Sequence, residues 1–337
     1  MADSDEPDYL WDKSGAAAPD VARLEQLLAP LAHRGEPPNP ARARGSRRRW
    51  VFAAGALAAA AVLVLLWKSA RRGEAECRGG DGFAFSADHP VSCERGRGKS
   101  GTLVVGGFIE TADGAARVTV ADIGSVELAA RSRLALRRSA RVEHRLALEH
   151  GKLHARVLAP PRLFVIETPS ATAIDLGCEY DLEVDAGGNG RLRVTSGQVE
   201  LAGRGGTLVL VPAGAGARFS REHGVGVPLA DGAAPALREA AARFERGQAP
   251  LSELLAATGP GDVITLANLL ALAAPAEREQ VYERLQALAP PPATVEKASV
   301  VSGDAHAITR WRDDAVGRWL AGEAPSAPPQ KGSGKHK

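Results

Sequence analysis

Residues 148–184 read LEHGKLHARVLAPPRLFVIETPSATAIDLGCEYDLEV, and apolar side chains recur at every second position through much of this stretch. Near its end, Tyr180, Leu182 and Val184 alternate with carboxylates. Successive side chains of a strand point to opposite faces of a sheet, so the pattern predicts strands with one buried and one solvated face. The apolar run 163–166 predicts a strand that is buried on both faces.

The same period of two extends over residues 103–223, where Gly, Asp, Asn or Pro interrupts it every eight to twelve residues or so. This spacing predicts an all-β domain, either a sandwich or barrel-like. The apolar pairs that we expect in its core are Val118/Val120, Val126/Leu128, Leu134/Leu136, Leu146/Leu148, Leu192/Val194 and Val199/Leu201.

The apolar period changes to 3.6 in residues 234–322, which predicts an α-helical C-terminal region. Pro235, Asp262, Pro275 and Asp304 stand where helix starts are expected. Trp311 and Trp319 share one stripe and are predicted to lie in the core of this region. The segment 323–337, which ends KGSGKHK, is predicted to be a disordered tail.

An uncharged apolar segment, WVFAAGALAAAAVLVLLW, occupies residues 50–67. As a helix it covers roughly 27 Å, close to the hydrocarbon thickness of a bilayer, and Trp at both ends suits the two interfaces. We therefore predict a single transmembrane helix. A buried, Ala-rich core helix is the alternative, and a cleavable signal peptide is disfavoured because 49 residues precede the segment.

The charges that flank residues 50–67 predict the orientation of this span. Six arginines lie within the twenty residues before it, against four basic residues within the twenty after it. This bias predicts a cytoplasmic N-terminus and a C-terminus on the opposite side of the membrane. Residues 36–49 then form a Pro/Arg-rich linker, and residues 68–102 form a juxtamembrane segment.

The juxtamembrane segment contains Cys77 and Cys93, which enclose a loop long enough for a disulfide. Disulfides form in oxidising compartments, so we expect this pair to be bridged, with two free thiols as the alternative. Cys178 lies in an apolar strand pattern and is predicted to be a buried thiol.

Residues 1–35 are predicted to be a cytoplasmic docking segment with one short amphipathic helix that begins near Pro19. A helix of about three turns is marginal alone in water, so its apolar stripe needs a partner. A partly disordered tail is the alternative. The residues that we predict to bind a cytoplasmic partner are Tyr9, Leu10, Trp11, Val21, Leu24, Leu27, Leu28 and Leu31.

The residues that could support chemistry have simpler explanations. Glu179, Asp181, Glu183 and Asp185 could hold calcium or form an acid pair, but a solvated strand edge accounts for them. His150 and His154 would meet on a helix, whereas on a strand they lie roughly 13 Å apart. The chain contains no GxSxG, P-loop or HExxH motif. We therefore expect no catalytic site, metal or cofactor, and no enzyme.

The overall charge also limits the partners. Forty-two basic and forty acidic residues give a net charge of +2, which provides no global field for nucleic acid. The chain is therefore not expected to bind nucleic acid directly.

Several strings in the β-rich segment together resemble the FecR domain of bacterial envelope regulators. They are DIGSVELAARSRLAL from Asp122, the stretch 148–184 quoted above, and RLRVTSGQVEL followed by VPAGAGA. The resemblance covers roughly residues 103–220. It implies a β-structured periplasmic sensing domain in a protein that regulates an extracytoplasmic-function sigma factor through its cytoplasmic N-terminus.

The chain departs from this family in two places. FecR-type receptors for iron transport carry a small mixed C-terminal domain, where this sequence predicts helices, so a role in iron uptake is not expected. The N-terminal segment also lacks the paired His and Cys ligands of zinc-dependent anti-sigma factors. Binding of a sigma factor would therefore rest on Tyr9, Leu10 and Trp11 and on the apolar stripe.

The sequence therefore favours a single-pass envelope signal transducer that regulates a sigma factor, with an envelope protein or ligand as its periplasmic partner. The alternative is a membrane-anchored envelope scaffold or glycan-binding module without a sigma-factor role. A membrane-anchored hydrolase would need a catalytic cluster that the sequence does not supply.

Overall fold

The computed structural model describes residues 16–31, 77 and 79–322. The chain divides into two units, residues 1–66 and residues 67–337. In the first unit, helix α1 (Pro19–Leu28) is followed by a 3₁₀ turn (Ala29–Leu31). Pro19 suits the first helical turn, because the amide that proline lacks has no acceptor there.

The second unit begins with an extensive β-structure. Its strands are β1 (Gly82–Cys93), β2 (Gly96–Val104), β3 (Phe108–Glu110), β4 (Ala116–Val120), β5 (Gly124–Leu128), β6 (Arg133–Ala140), β7 (Glu143–Val157), β8 (Phe164–Glu167), β9 (Ala171–Asp175), β10 (Cys178–Val184), β11 (Gly190–Ser196), β12 (Gln198–Gly203), β13 (Leu208–Pro212), β14 (Ala215–Ser220), β15 (Gly224–Val225) and β16 (Leu229–Ala230).

Pairing of these strands closes a ring in the order β1, β4, β5, β7, β6, β3 and back to β1. Two further strand series extend from the long strand β7. One runs through the parallel partner β8 to β9, β12 and β13, and the other runs through β10 and β11 to β14. The expected all-β, barrel-like domain is confirmed, and closure of the ring leaves its six strands without a free edge.

The core of the β-structure follows the predicted alternation. Every residue of the apolar pairs named above is buried, as are Tyr180, Leu182 and Val184. The predicted doubly buried strand is β8, in which Phe164, Val165 and Ile166 are all buried. Burial of each such large apolar side chain contributes about 1.5 to 3 kcal/mol, so this pattern is the main stabilising term of the domain.

Helices follow the strands, as expected. They are α2 (Pro235–Glu245), α3 (Leu251–Ala256), α4 (Val263–Leu272), α5 (Arg278–Leu288), α6 (Lys297–Ser302) and α7 (Ala305–Leu320). Asp304 caps α7 by accepting hydrogen bonds from the His306 and Ala307 amides. Trp311 is fully buried and donates its indole N–H to the Ala289 carbonyl, and Trp319 is partly buried.

Helix α4 connects the helical core to the β-structure. Its residues from Val263 to Leu270 are all buried, and Ile264 packs in the core of the strands. A buried ion pair joins the same two regions, since Arg312 of α7 lies 3.9 Å from Glu200 of β12. Glu200 is also paired with Arg162 at 2.5 Å. Paired charges are tolerated in such a place, whereas a single one would be costly.

The β-structure begins earlier in the chain than the sequence analysis placed it. Strands β1 and β2 lie largely within residues 68–102, the predicted juxtamembrane segment. Phe83, Phe85 and Val91 are buried there, but β2 is rich in Gly, Arg and Lys and offers little apolar alternation. Hydrogen bonds to β1 hold β2 in place, and these leave no periodic signal in a sequence.

The predicted transmembrane helix, residues 50–67, lies outside the described residues, as do the linker 36–49 and the tail 323–337. In the part of the chain that the structure describes, no helix has both the length and the apolar character to cross a membrane.

Candidate partner-binding surfaces

Helix α1 presents an apolar stripe to solvent. The exposed fractions of Leu24, Leu27 and Leu28 are 58%, 68% and 58%, and Val21 is partly exposed. No residue of this helix is buried. Leu31 ends the 3₁₀ turn that follows, whereas Tyr9, Leu10 and Trp11 lie outside the described residues. The surface is therefore a narrow leucine stripe of the kind that enters a protein groove.

A disulfide between Cys77 and Cys93 fixes the chain at the start of the second unit. Cys77 also forms a parallel bridge with Gly101, and its carbonyl accepts the Thr102 amide at 2.8 Å. A Cβ at position 101 would lie 2.0 Å from the Cys77 carbonyl oxygen, so the close approach requires glycine there. Residue 77 is thus anchored to the hairpin of β1 and β2.

The acidic residues Glu179, Asp181 and Glu183 lie on the solvated face of β10, not on a sheet edge. The expectation of an edge was wrong, because β10 pairs with β7 on one side and β11 on the other. His154 of β7 lies between two of these acids, with Nε2 at 3.1 Å from Glu179 and Nδ1 at 3.2 Å from Asp181.

The two histidines of β7 do not meet. His150 lies 3.7 Å from Glu110, whereas His154 contacts the acids of β10. Within the described residues, no three His, Cys, Asp or Glu side chains converge in a way that could hold a metal ion. The two nitrogens of His154 face different carboxylates, so this cluster acts as a hydrogen-bonded surface ladder.

A buried polar cluster lies at the end of β9. Asp175 has no solvent exposure, and its carboxylate accepts hydrogen bonds from the Gly177 amide at 2.6 Å and the Cys178 thiol at 2.5 Å. Burial raises the pKa of Asp175 to about 6, although these hydrogen bonds oppose the shift. Burial also raises the pKa of the Cys178 thiol, so this free cysteine stays protonated at neutral pH.

Asp175 was not among the residues predicted from the sequence, although the alternation contains a signal for it. Ala171, Ala173 and Asp175 stand at alternate positions of β9, and all three are buried. The period of two therefore points the Asp175 side chain inward with its apolar neighbours.

Residues 108–200 match a family model described as FecR protein. The chain carries a FecR domain. The match begins at β3 and ends within β12, so it includes the cluster around Asp175 and the ladder around His154. Helix α1 and the C-terminal helices lie outside the matched residues.

Among solved structures, the chain is similar to two crystal structures of a candidate anti-sigma factor from Parabacteroides distasonis, at 1.65 and 2.50 Å resolution. Each has 16% sequence identity and a TM-score of 0.33, and each match covers 36% of this chain. The chain spans 59% of the length of those chains. Comparison with curated proteins gave no significant match.

Proposed function

We propose that this chain is a single-pass envelope signal transducer that regulates an extracytoplasmic-function sigma factor. In this proposal, helix α1 binds the sigma factor in the cytoplasm, residues 50–67 cross the inner membrane, and the FecR domain senses an envelope protein or ligand in the periplasm. The chain transmits a signal and catalyses no reaction. The family match over residues 108–200 is the observation that carries the proposal.

The leucine stripe of α1 supplies the binding surface. Each of Leu24, Leu27 and Leu28 is more than half exposed, so burial in a groove contributes about 1 to 2 kcal/mol per side chain. Three such side chains give about 3 to 6 kcal/mol, which is less than the ~8 kcal/mol of a micromolar complex. Further contacts are therefore required, and the aromatic residues Tyr9 and Trp11 are suited to provide them.

Signalling requires that the exterior partner binds two states of the chain with different affinity. A partner with equal affinity for both states cannot change the occupancy of α1. A hinge motion and regulated cleavage after the span both satisfy this requirement.

The test measures capture of a sigma factor by the full chain, extracted in a neutral detergent from the cells that make it. Mass spectrometry identifies the co-purified sigma factor, and its affinity is then measured with both proteins purified. Leu24→Asp with Leu28→Asp places two charges on the stripe, and we expect the affinity to fall at least about 100-fold.

The control carries the same two charges on the opposite face of α1, as Ala22→Asp with Gln26→Asp. Both pairs are four residues apart, so their intrinsic cost to the helix is matched. We expect the control to bind within about fivefold of the unmodified chain. An equal loss of affinity for the sigma factor in both double variants, or the absence of a sigma factor among the captured proteins, would contradict the proposal.

A further inference from the structure

Basic side chains form a row across four neighbouring strands of the second unit. The strand register sets Lys152 of β7 opposite Glu183 of β10, Glu183 opposite Arg191 of β11, and Arg191 opposite Arg218 of β14. Directly opposed residues share a face of a sheet, and all four of these residues are exposed. At about 4.8 Å per strand, the row spans roughly 14 Å.

This row lies in an open groove of about 610 Å³, which we name the basic groove. Its lining includes the four residues of the row and Arg131, from the loop between β5 and β6. A neighbouring cavity of about 340 Å³ shares Arg218 with it and continues towards Arg246 of the helical region.

The charges of the basic groove are not balanced. Glu183 is the only acid in the row, and it lies 3.9 Å from Arg191. Among the described residues, Arg131, Lys152 and Arg218 have no carboxylate within salt-bridge distance. Asp185, which also lines the groove, already accepts the amide and side-chain N–H groups of Asn189.

The adjacent row of residues on the same face has balanced charges, in contrast to the basic groove. Two residues further along the strands, each basic side chain has an acid beside it: Arg117 with Glu127, His154 with Asp181, and Arg193 with Asp231. The excess of positive charge is therefore specific to the basic groove and is not a general property of this surface.

The loop of Arg131 is fixed to the strand of Lys152. The hydroxyl of Ser132, which is fully buried, accepts the Lys152 amide at 2.9 Å and donates to the Lys152 carbonyl at 3.1 Å. Arg131 itself has a φ of +55°, a conformation that non-glycine residues adopt rarely. The backbone that carries Arg131 and Lys152 is thus fixed, so ligand binding has to order only their side chains.

We infer that the basic groove binds a multivalent oxyanion ligand, in which phosphate or carboxylate groups are spaced along the row. Guanidinium groups match both oxyanions with paired hydrogen bonds. No aromatic side chain lines the groove, so it offers no stacking platform for sugars or bases. The inference goes beyond the proposed function and does not depend on it.

The test measures binding of tripolyphosphate and of citrate to the purified full chain by calorimetry, in 50 mM and 300 mM NaCl. We expect the unmodified chain to bind at least one of these probes, and the binding to weaken at the higher salt concentration. Arg191→Glu with Arg218→Glu is expected to weaken it at least about 30-fold. The neutral pair Arg191→Gln with Arg218→Gln, which disturbs the fold less, is expected to weaken it at least about tenfold.

The matched control reverses two exposed arginines outside the basic groove, as Arg141→Glu with Arg156→Glu, and is expected to bind within about threefold. Tighter binding of tripolyphosphate assigns phosphate as the natural group, and tighter binding of citrate assigns carboxylate. Failure of the unmodified chain to bind either probe below about 1 mM, or equal weakening in the control, would overturn the inference.

Discussion

Asp175 is a residue whose chemistry burial changes. Its carboxylate has no solvent exposure, and no cation among the described residues favours its charged form, so burial favours the protonated form and raises its pKa to about 6. The Gly177 amide and the Cys178 thiol donate to it and keep the shift from being larger.

This pKa predicts how stability depends on pH. Between about pH 4 and pH 6 the folded protein keeps a proton on Asp175 that the unfolded chain has released. The free energy of unfolding therefore falls as the pH rises through that interval, and Asp175 accounts for about 3 kcal/mol of the fall. Urea unfolding of the full chain at several pH values measures this.

Asp175→Asn is the matched variant, since it retains an acceptor for the Gly177 amide and cannot ionise. Between about pH 4 and pH 6, we expect the free energy of unfolding of this variant to fall by about 3 kcal/mol less than that of the unmodified chain. Glu245, whose pKa burial also raises, is present in both proteins and cancels in the comparison. Identical pH dependence of the two proteins would show that Asp175 does not hold the proton.

At the scale of single residues, alternation in the sequence predicted burial well where the side chains are apolar. Tyr180, Leu182 and Val184 are buried as expected. The basic groove could not be predicted in this way, because Lys152, Arg191 and Arg218 are far apart in the sequence and meet only through strand register.

Among the elements, α4 covers the backbone of an outer strand. β13 pairs with β12 on one side. On its other side, the side chain of Asn268 of α4 forms the backbone hydrogen bonds that a neighbouring strand would form. Its side-chain oxygen accepts the Leu210 amide at 2.7 Å, and its nitrogen donates to the Leu210 carbonyl at 3.0 Å. Covering an outer strand protects it against pairing with other chains.

Replacing Asn268 by Leu removes both hydrogen bonds and leaves two buried backbone groups without partners. Each such group costs about 1 to 3 kcal/mol, so we expect the free energy of unfolding to fall by at least about 2 kcal/mol. Gln286→Leu, the same kind of change on the exposed face of α5, is expected to alter it by less than about 0.5 kcal/mol. Denaturant unfolding distinguishes the two, and equal effects would contradict this role of Asn268.

The sequence predicted the elements unevenly. Pro235, Asp262 and Asp304 mark the starts of α2, α4 and α7, because local capping and backbone geometry set these boundaries. Strands β1 and β2 were not predicted as part of the β-structure. Their place depends on pairing with each other and with β3 and β4, which are contacts between distant parts of the chain.

At the scale of the whole molecule, the proposal joins a leucine stripe in the first unit to a FecR domain in the second. The two are separated by residues 50–67, whose apolar sequence predicts a membrane span. The proposal requires the stripe and the FecR domain to lie on opposite sides of the membrane, so that an event at the FecR domain changes the occupancy of the stripe.

Reporter fusions to the two ends of the full chain test that requirement most directly. Green fluorescent protein matures when it stays in the cytoplasm, and alkaline phosphatase becomes active when it is exported and its disulfides form. We predict fluorescence from the N-terminal fusion and phosphatase activity from the C-terminal fusion, and neither signal when the reporters are exchanged. Reporters that place both ends in one compartment would contradict the account.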